Sequence, residues 1–183
     1  MVGLNIIDVF QNEFSKIFFE LTENKIYSNI IFLCIGTDRV AGDTYGPLVG
    51  HGLKQYFKNS INVDVVGDIE NVVCATNVSY IMQKIETNYS NPFIIAVDAS
   101  LSEDIKKVGN ILVSSGGIYL GSSLGKRKIY VGNMNIRGVV AKNMGIPKYN
   151  FRMLQSVHLN NIIQMSNATV KGIISSIDYN YVL

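Results

Sequence analysis

The chain has 183 residues, 48% of them hydrophobic and only 16% charged, with a formal net charge of +2. That balance supports a large buried core, excludes long disordered stretches, and lacks the basic stripe expected of a nucleic-acid surface, so no direct nucleic-acid partner is expected. The two cysteines, Cys34 and Cys74, form neither a metal-ligand spacing nor a disulfide framework. Both read as small buried hydrophobes in a reducing, cytoplasmic setting.

The first segment, LNIIDVFQNEFSKIFFEL, spaces Ile7, Phe10, Phe14, Ile17, Phe18 and Leu21 at helical intervals and predicts a helix over about 4–23. Asp8, Gln11, Glu13, Lys16 and Glu20 interrupt it, so it suits neither a signal-peptide core nor a membrane span. Its apolar face also lacks the flanking lysines and arginines of a membrane-surface helix. A helix docked on the rest of the protein is expected, with no membrane partner.

Strand and helix signals then alternate. The segments NIIFLCIG (29–36) and PFIIAVDA (92–99) are near-continuous apolar runs, as in strands covered on both faces, and INVDVV (61–66) alternates like a strand nearer an edge. Residues 43–58 and 71–88 have helical length and pattern between them. This order predicts a three-layer α/β/α sandwich with a mostly parallel, doubly wound sheet and right-handed crossovers.

From residue 108 the chain turns rich in glycine and serine, with apolar pieces at Ile111–Val113 and Ile136–Val140. It reads as one more core strand, an irregular glycine-rich loop and a hairpin-like strand pair. Residues of about 149–179 look helical, with a break expected near Ser166–Asn167. No repeat or linker appears, so 1–183 is taken as one domain.

In open α/β sheets, ligands bind beyond the carboxyl ends of strands where the strand order reverses. That rule selects the loop at 36–43 and Asp98, and it could set Asp43 and Asp98 across one crevice. Two close carboxylates cannot both ionise easily, so one can keep its proton near neutrality, and such a pair can divide the work of base and acid. The plainer reading of Asp43 is a helix N-cap, and that of Asp98 a cap on the turn SLSEDI. Asp38 could equally bind Arg39 or the loop backbone.

A phosphate cradle is not supported. Gly36, Gly42, Gly46 and Gly50 miss the dinucleotide spacing, and GSSLGKRK (121–128) has three residues between its glycines where a Walker loop has four. Lys126, Arg127 and Lys128 read as a solvated turn. His51 and His158 fall within predicted helices and no G-x-S-x-G elbow is present, so neither a nucleophile triad nor a metal site is expected. No cofactor is expected either.

At GTDRVAGDTYGP the chain resembles the segment that carries the first catalytic aspartate of the spore germination protease, an atypical aspartic peptidase, matching at Gly36, Asp43, Gly46 and Pro47. IIAVDAS resembles the strand that ends in that enzyme's second catalytic aspartate, which corresponds to Asp98, and LGSSLG is weakly similar to its downstream loop at Gly121, Ser122 and Gly125. Over about residues 28 to 175 the chain is similar to the shorter sporulation family YyaC, through the signature GTDR…GD…GPLVG. Hydrogenase maturation proteases share the implied fold. They use acidic residues at comparable strand ends and a histidine that senses nickel in the substrate, and no such histidine is evident here.

The resemblance implies an aspartic-type endopeptidase in the sporulating cell or spore interior, acting on small spore DNA-binding proteins. Asp43 and Asp98 would be catalytic, with Gly36, Thr37, Asp38, Gly121 and Ser122 binding substrate. A non-catalytic binding module and a metal-dependent peptidase are the alternatives. A helix N-terminus would tend to lower the pKa of Asp43 and leave the shared proton on Asp98.

Overall fold

The structure, a computed structural model, describes residues 6–120 and 129–177. Five strands form the main sheet: β1 (Ile30–Cys34), β2 (Val63–Val66), β3 (Phe93–Ser102), β4 (Ile111–Ser115) and β7 (Met134–Lys142), in the order β2-β1-β3-β7-β4. The first four strands of that order run parallel, and β4 closes the edge antiparallel to β7. The chain leaves β1 for β2 on one side and returns to β3 on the other, so the strand order reverses between β1 and β3.

Each face of the sheet buries its own apolar layer. Phe32, Cys34, Ile95, Val97, Met134 and Ile136 pack under α1 (Ile6–Thr22), α2 (Tyr45–Tyr56) and α5 (Leu159–Ser176). The alternate residues Ile31, Leu33, Ile35, Ile94 and Ala96 pack under α3 (Val78–Asn88) and a hairpin of β5 (Ile118–Leu120) with β6 (Ile129–Val131). The observed architecture is therefore the expected one, a mixed, mostly parallel sheet between helices.

The amphipathic pattern of the first segment has a direct structural cause. Phe10, Phe14 and Phe18 are each no more than 1% exposed, and Gly172 on α5 lets the Phe10 ring approach, since a Cβ there would lie 2.4 Å from it. Among the described residues no helix is long and apolar enough to cross a membrane.

Several details differ from expectation. The Ile111–Val113 piece is an antiparallel edge strand, whereas Ile136–Val140 belongs to a nine-residue inner strand, β7. The expected helix from 71 starts only at Val78, because Val73 bridges Ile35 in extended backbone. The C-terminal break falls at Val157–His158, where both residues turn extended after α4 (Pro147–Ser156), and α5 runs unbroken through Ser166–Asn167. Ser166 and Thr169 do not break it because their hydroxyls donate to the Ile163 and Met165 carbonyls one turn back. Gly121, Ser122, Gly125 and the Lys126–Lys128 cluster lie outside the described residues.

Candidate active site

The loop after β1 is built around close backbone approach. Gly36 has φ +145°, and a Cβ on it would lie 2.1 Å from the Asp43 main-chain oxygen. Only glycine allows both. The Thr37 N–H donates to that same oxygen at 3.1 Å, which folds the loop back so that Asp43 stands over the end of β1. Thr37 Oγ1 accepts from the Arg39 N–H and contacts Asp38 Oδ1, so it organises the turn, and Asp38 itself is exposed.

Asp43 occupies a 3-10 turn, Ala41–Thr44, that runs directly into α2, and caps no helix: the N-cap position is Thr44, without a side-chain cap bond. Tyr45 anchors the junction. It is fully buried against Gly138 of β7, and its hydroxyl shares a 2.7 Å hydrogen bond with Thr169 on α5. α4 closes the turn from outside, with Leu154 packed on Gly42.

Asp98 ends the apolar run of β3 and shares the α3 and hairpin face with Ala96. Its Oδ1 accepts the Ala99 N–H at 2.8 Å, and among the described residues no cation pairs with it. Burial first, and then the negative charge of Asp43, push its carboxyl well above the usual range, with only the Ala99 N–H opposing. Burial likewise raises Asp43 to about 6, against the smaller opposing pull of the Thr37 N–H. Burial thus overrides the helix N-terminus that was expected to lower Asp43. The fold brings the two carboxyls near enough to feel each other, with Asp43 the easier to ionise.

Beside Asp98 opens a recess of about 380 Å³ lined by Ala99, Ser100, Gly117, Tyr119, Asn135 and Arg137, among others. Arg137 is the register partner of Asp98 on β7, and Asn135 lies two residues earlier on the same face. Neither was singled out in the sequence. The signal was there in the alternation Met134–Asn135–Ile136–Arg137, which places polar side chains at every second position of an otherwise buried strand.

Cys74 was also misjudged. It is half-buried, not buried, and lies near enough to Asp43 to feel its charge. Burial raises its thiol pKa, but hydrogen bonds from the Thr76 side chain and from the Thr76 and Asn77 N–H groups outweigh that, and the net shift is downward. Cys34, by contrast, is fully buried and its thiol is pushed far up.

The histidines stand apart. His51 on α2 bonds Gln55 at 2.9 Å, and His158 is exposed at the break before α5. Among the described residues no three His, Cys, Asp or Glu side chains converge to hold a metal.

The fold has a counterpart among solved structures. Over 90% of this chain and 98% of the other, it is similar to the crystal structure of a [NiFe] hydrogenase maturation protease, HycI, from Thermococcus kodakarensis KOD1, with a TM-score of 0.57 and 14% identity. At that identity the likeness shows the fold. The family described as "Protein of unknown function (DUF1256)" matches residues 5–172, and the chain belongs to that family. It is also 36% identical over 144 residues to the uncharacterized protein YyaC of Bacillus subtilis (strain 168), covering 79% of this chain and 67% of that protein.

Proposed function

We propose that this protein is a peptidase of the germination-protease type, in which Asp43 and Asp98 share one proton and activate a water against a peptide carbonyl. The observation that carries this reading is Asp98: a carboxyl where the apolar run of β3 ends, with no paired cation among the described residues, raised by burial and by Asp43. The ionised Asp43 takes a proton from the water as the water oxygen bonds to the carbonyl carbon and the C=O π pair moves onto the carbonyl oxygen, to re-form the double bond when the C–N bond breaks. Protonated Asp98 then delivers its proton to the leaving nitrogen as the C–N bond breaks. Gly36, Thr37 and Asp38, in the loop between β1 and Asp43, would contact substrate. The resemblance to the germination protease points to small spore DNA-binding proteins, met in the cytoplasm of the sporulating cell.

Incubating purified protein with such a substrate tests the reading. The wild type is expected to cleave it, and Asp43→Asn and Asp98→Asn each to lose about 10²–10⁴-fold. Equal cleavage by all three removes the dyad. Loss of wild-type activity to a chelator would move the assignment to a metal-dependent peptidase.

A second reading, a binding module that keeps the pocket without turnover, is favoured by one feature. Among the described residues Asp43 and Asp98 do not hydrogen-bond to each other. It expects a bound peptide to remain intact under conditions where binding is saturated.

A further inference from the structure

Arg137 and Asn135 take no part in activating water, yet both are left with unmet bonding capacity beside Asp98. Asn135 is only 4% exposed. Its amide nitrogen donates to the Gly116 carbonyl at 2.9 Å and reaches the Ser114 carbonyl at 3.4 Å, which fixes which amide atom is oxygen. Among the described residues that oxygen, Oδ1, is buried without a hydrogen-bond partner, and so is the Nε of Arg137. The guanidinium's hydrogen bond is a marginal 3.5 Å contact from one terminal nitrogen to Ser114 Oγ.

Buried polar groups are satisfied in almost all native proteins, and a half-buried guanidinium usually has an acid. Among the described residues Arg137 has no carboxylate within ion-pair distance. Its nearest acidic neighbour in the sheet, Asp98, is held toward its neutral form and does not balance the charge. A full positive charge and an orphan acceptor therefore line one recess of about 380 Å³.

We propose that this recess is a carboxylate subsite, in which Arg137 binds the carboxylate of a peptide residue and Asn135 Oδ1 accepts that residue's N–H. The shared chemistry is one carboxylate next to one backbone N–H, supplied either by a peptide C-terminus or by an acidic side chain close to the reacting bond. A neutral peptide unit would satisfy both orphan atoms but leave the guanidinium charge unmatched, whereas a carboxylate meets both needs. The proposal rests on the peptidase reading for the kind of molecule bound, and on the Arg137–Asn135 recess for the specificity.

Binding can be followed without cleavage. The probes are acetyl-Ala-Ala-Ala as free acid and as C-terminal amide, and acetyl-Ala-Glu-Ala amide beside its Gln counterpart. Each is titrated into the intact protein while the Nε–H resonance of Arg137 is observed by NMR. The expected result is that at least one carboxylate probe binds about ten-fold or more tightly than its neutral twin and moves that resonance; the pair that shows it names the source.

Arg137→Gln should erase the difference, and Arg137→Lys, which keeps the charge but loses the planar fork, should restore part of it. The wild-type comparison of acid with neutral twin stands even if a variant fails to fold. Equal affinities within both pairs, or an unmoved Arg137 resonance, overturn the proposal. Carboxylate-dependent binding with no cleavage of any substrate would remove the peptidase reading and leave the subsite, and cleavage indifferent to carboxylates would do the reverse.

Discussion

Asp43 and Asp98 carry their protons to higher pH than a free carboxyl does, and this makes them a cost to the fold at neutrality. Asp43 rises from 3.8 to about 6, so the folded state binds its proton more tightly than the unfolded chain. The stability this gives is complete below about pH 3.8 and is lost as pH rises through about 6. Asparagine cannot ionise. The stability of Asp43→Asn relative to wild type should therefore grow by on the order of 2 kcal/mol between acid and neutral pH. Urea unfolding at about pH 4.5 and pH 7.5 measures it, and a difference that does not change with pH would contradict the burial of Asp43. Asp68 runs the other way. Its contacts with Lys54 and with the Glu70 and Asn71 N–H groups outweigh its burial and lower its pKa, so its contribution is lost as pH falls.

At the scale of elements, the signature glycines are spacers between α2 and the sheet. A Cβ on Gly46 would lie 2.0 Å from the Ile35 carbonyl oxygen and 2.8 Å from its nitrogen, and one on Gly50 would lie 1.9 Å from the Gly67 oxygen. Replacing a helical glycine by alanine ordinarily gains up to about 1 kcal/mol. Here the clash is with backbone, which cannot rotate away, and overpacking costs about 1–3 kcal/mol or more. Gly46→Ala should therefore destabilise, and a thermal melt that moved upward would mean α2 does not press on β1 as described. The pattern of β7 misleads for a separate reason. Alternation of apolar and polar residues usually marks a strand with one wet face, and β7 is an inner strand whose polar face, at Asn135 and Arg137, lines a recess.

At the scale of the molecule, α1 is part of the core. Phe14 is fully buried and stacks with Phe18 at 5.7 Å, and Phe18 meets Phe93 of β3 edge-on. The family match, which begins at residue 5, takes in this helix as well as the signature. Phe14→Ala should cost about 3–5 kcal/mol in urea unfolding. A loss below about 1 kcal/mol would mean that α1 is a dispensable appendage.

The sequence by itself determined the layers. Apolar runs without alternation must be covered on both faces, and Phe10, Phe14 and Phe18 at helical spacing must be buried together, so β1, β3 and α1 could be read from pattern alone. Asp98 could be picked out too, because a charge closing an apolar run stands out against it, although β3 continues past it to Ser102. Contacts between segments far apart in the chain could not. Whether Asp43 capped a helix depended on the Thr37 N–H folding the loop back, and its pKa depended on burial that no local signal encodes. Arg137 became visible only when β7 was laid beside β3, since register, a tertiary fact, sets it opposite Asp98. Periodicity records which face of an element is buried; which elements share an edge is decided by packing.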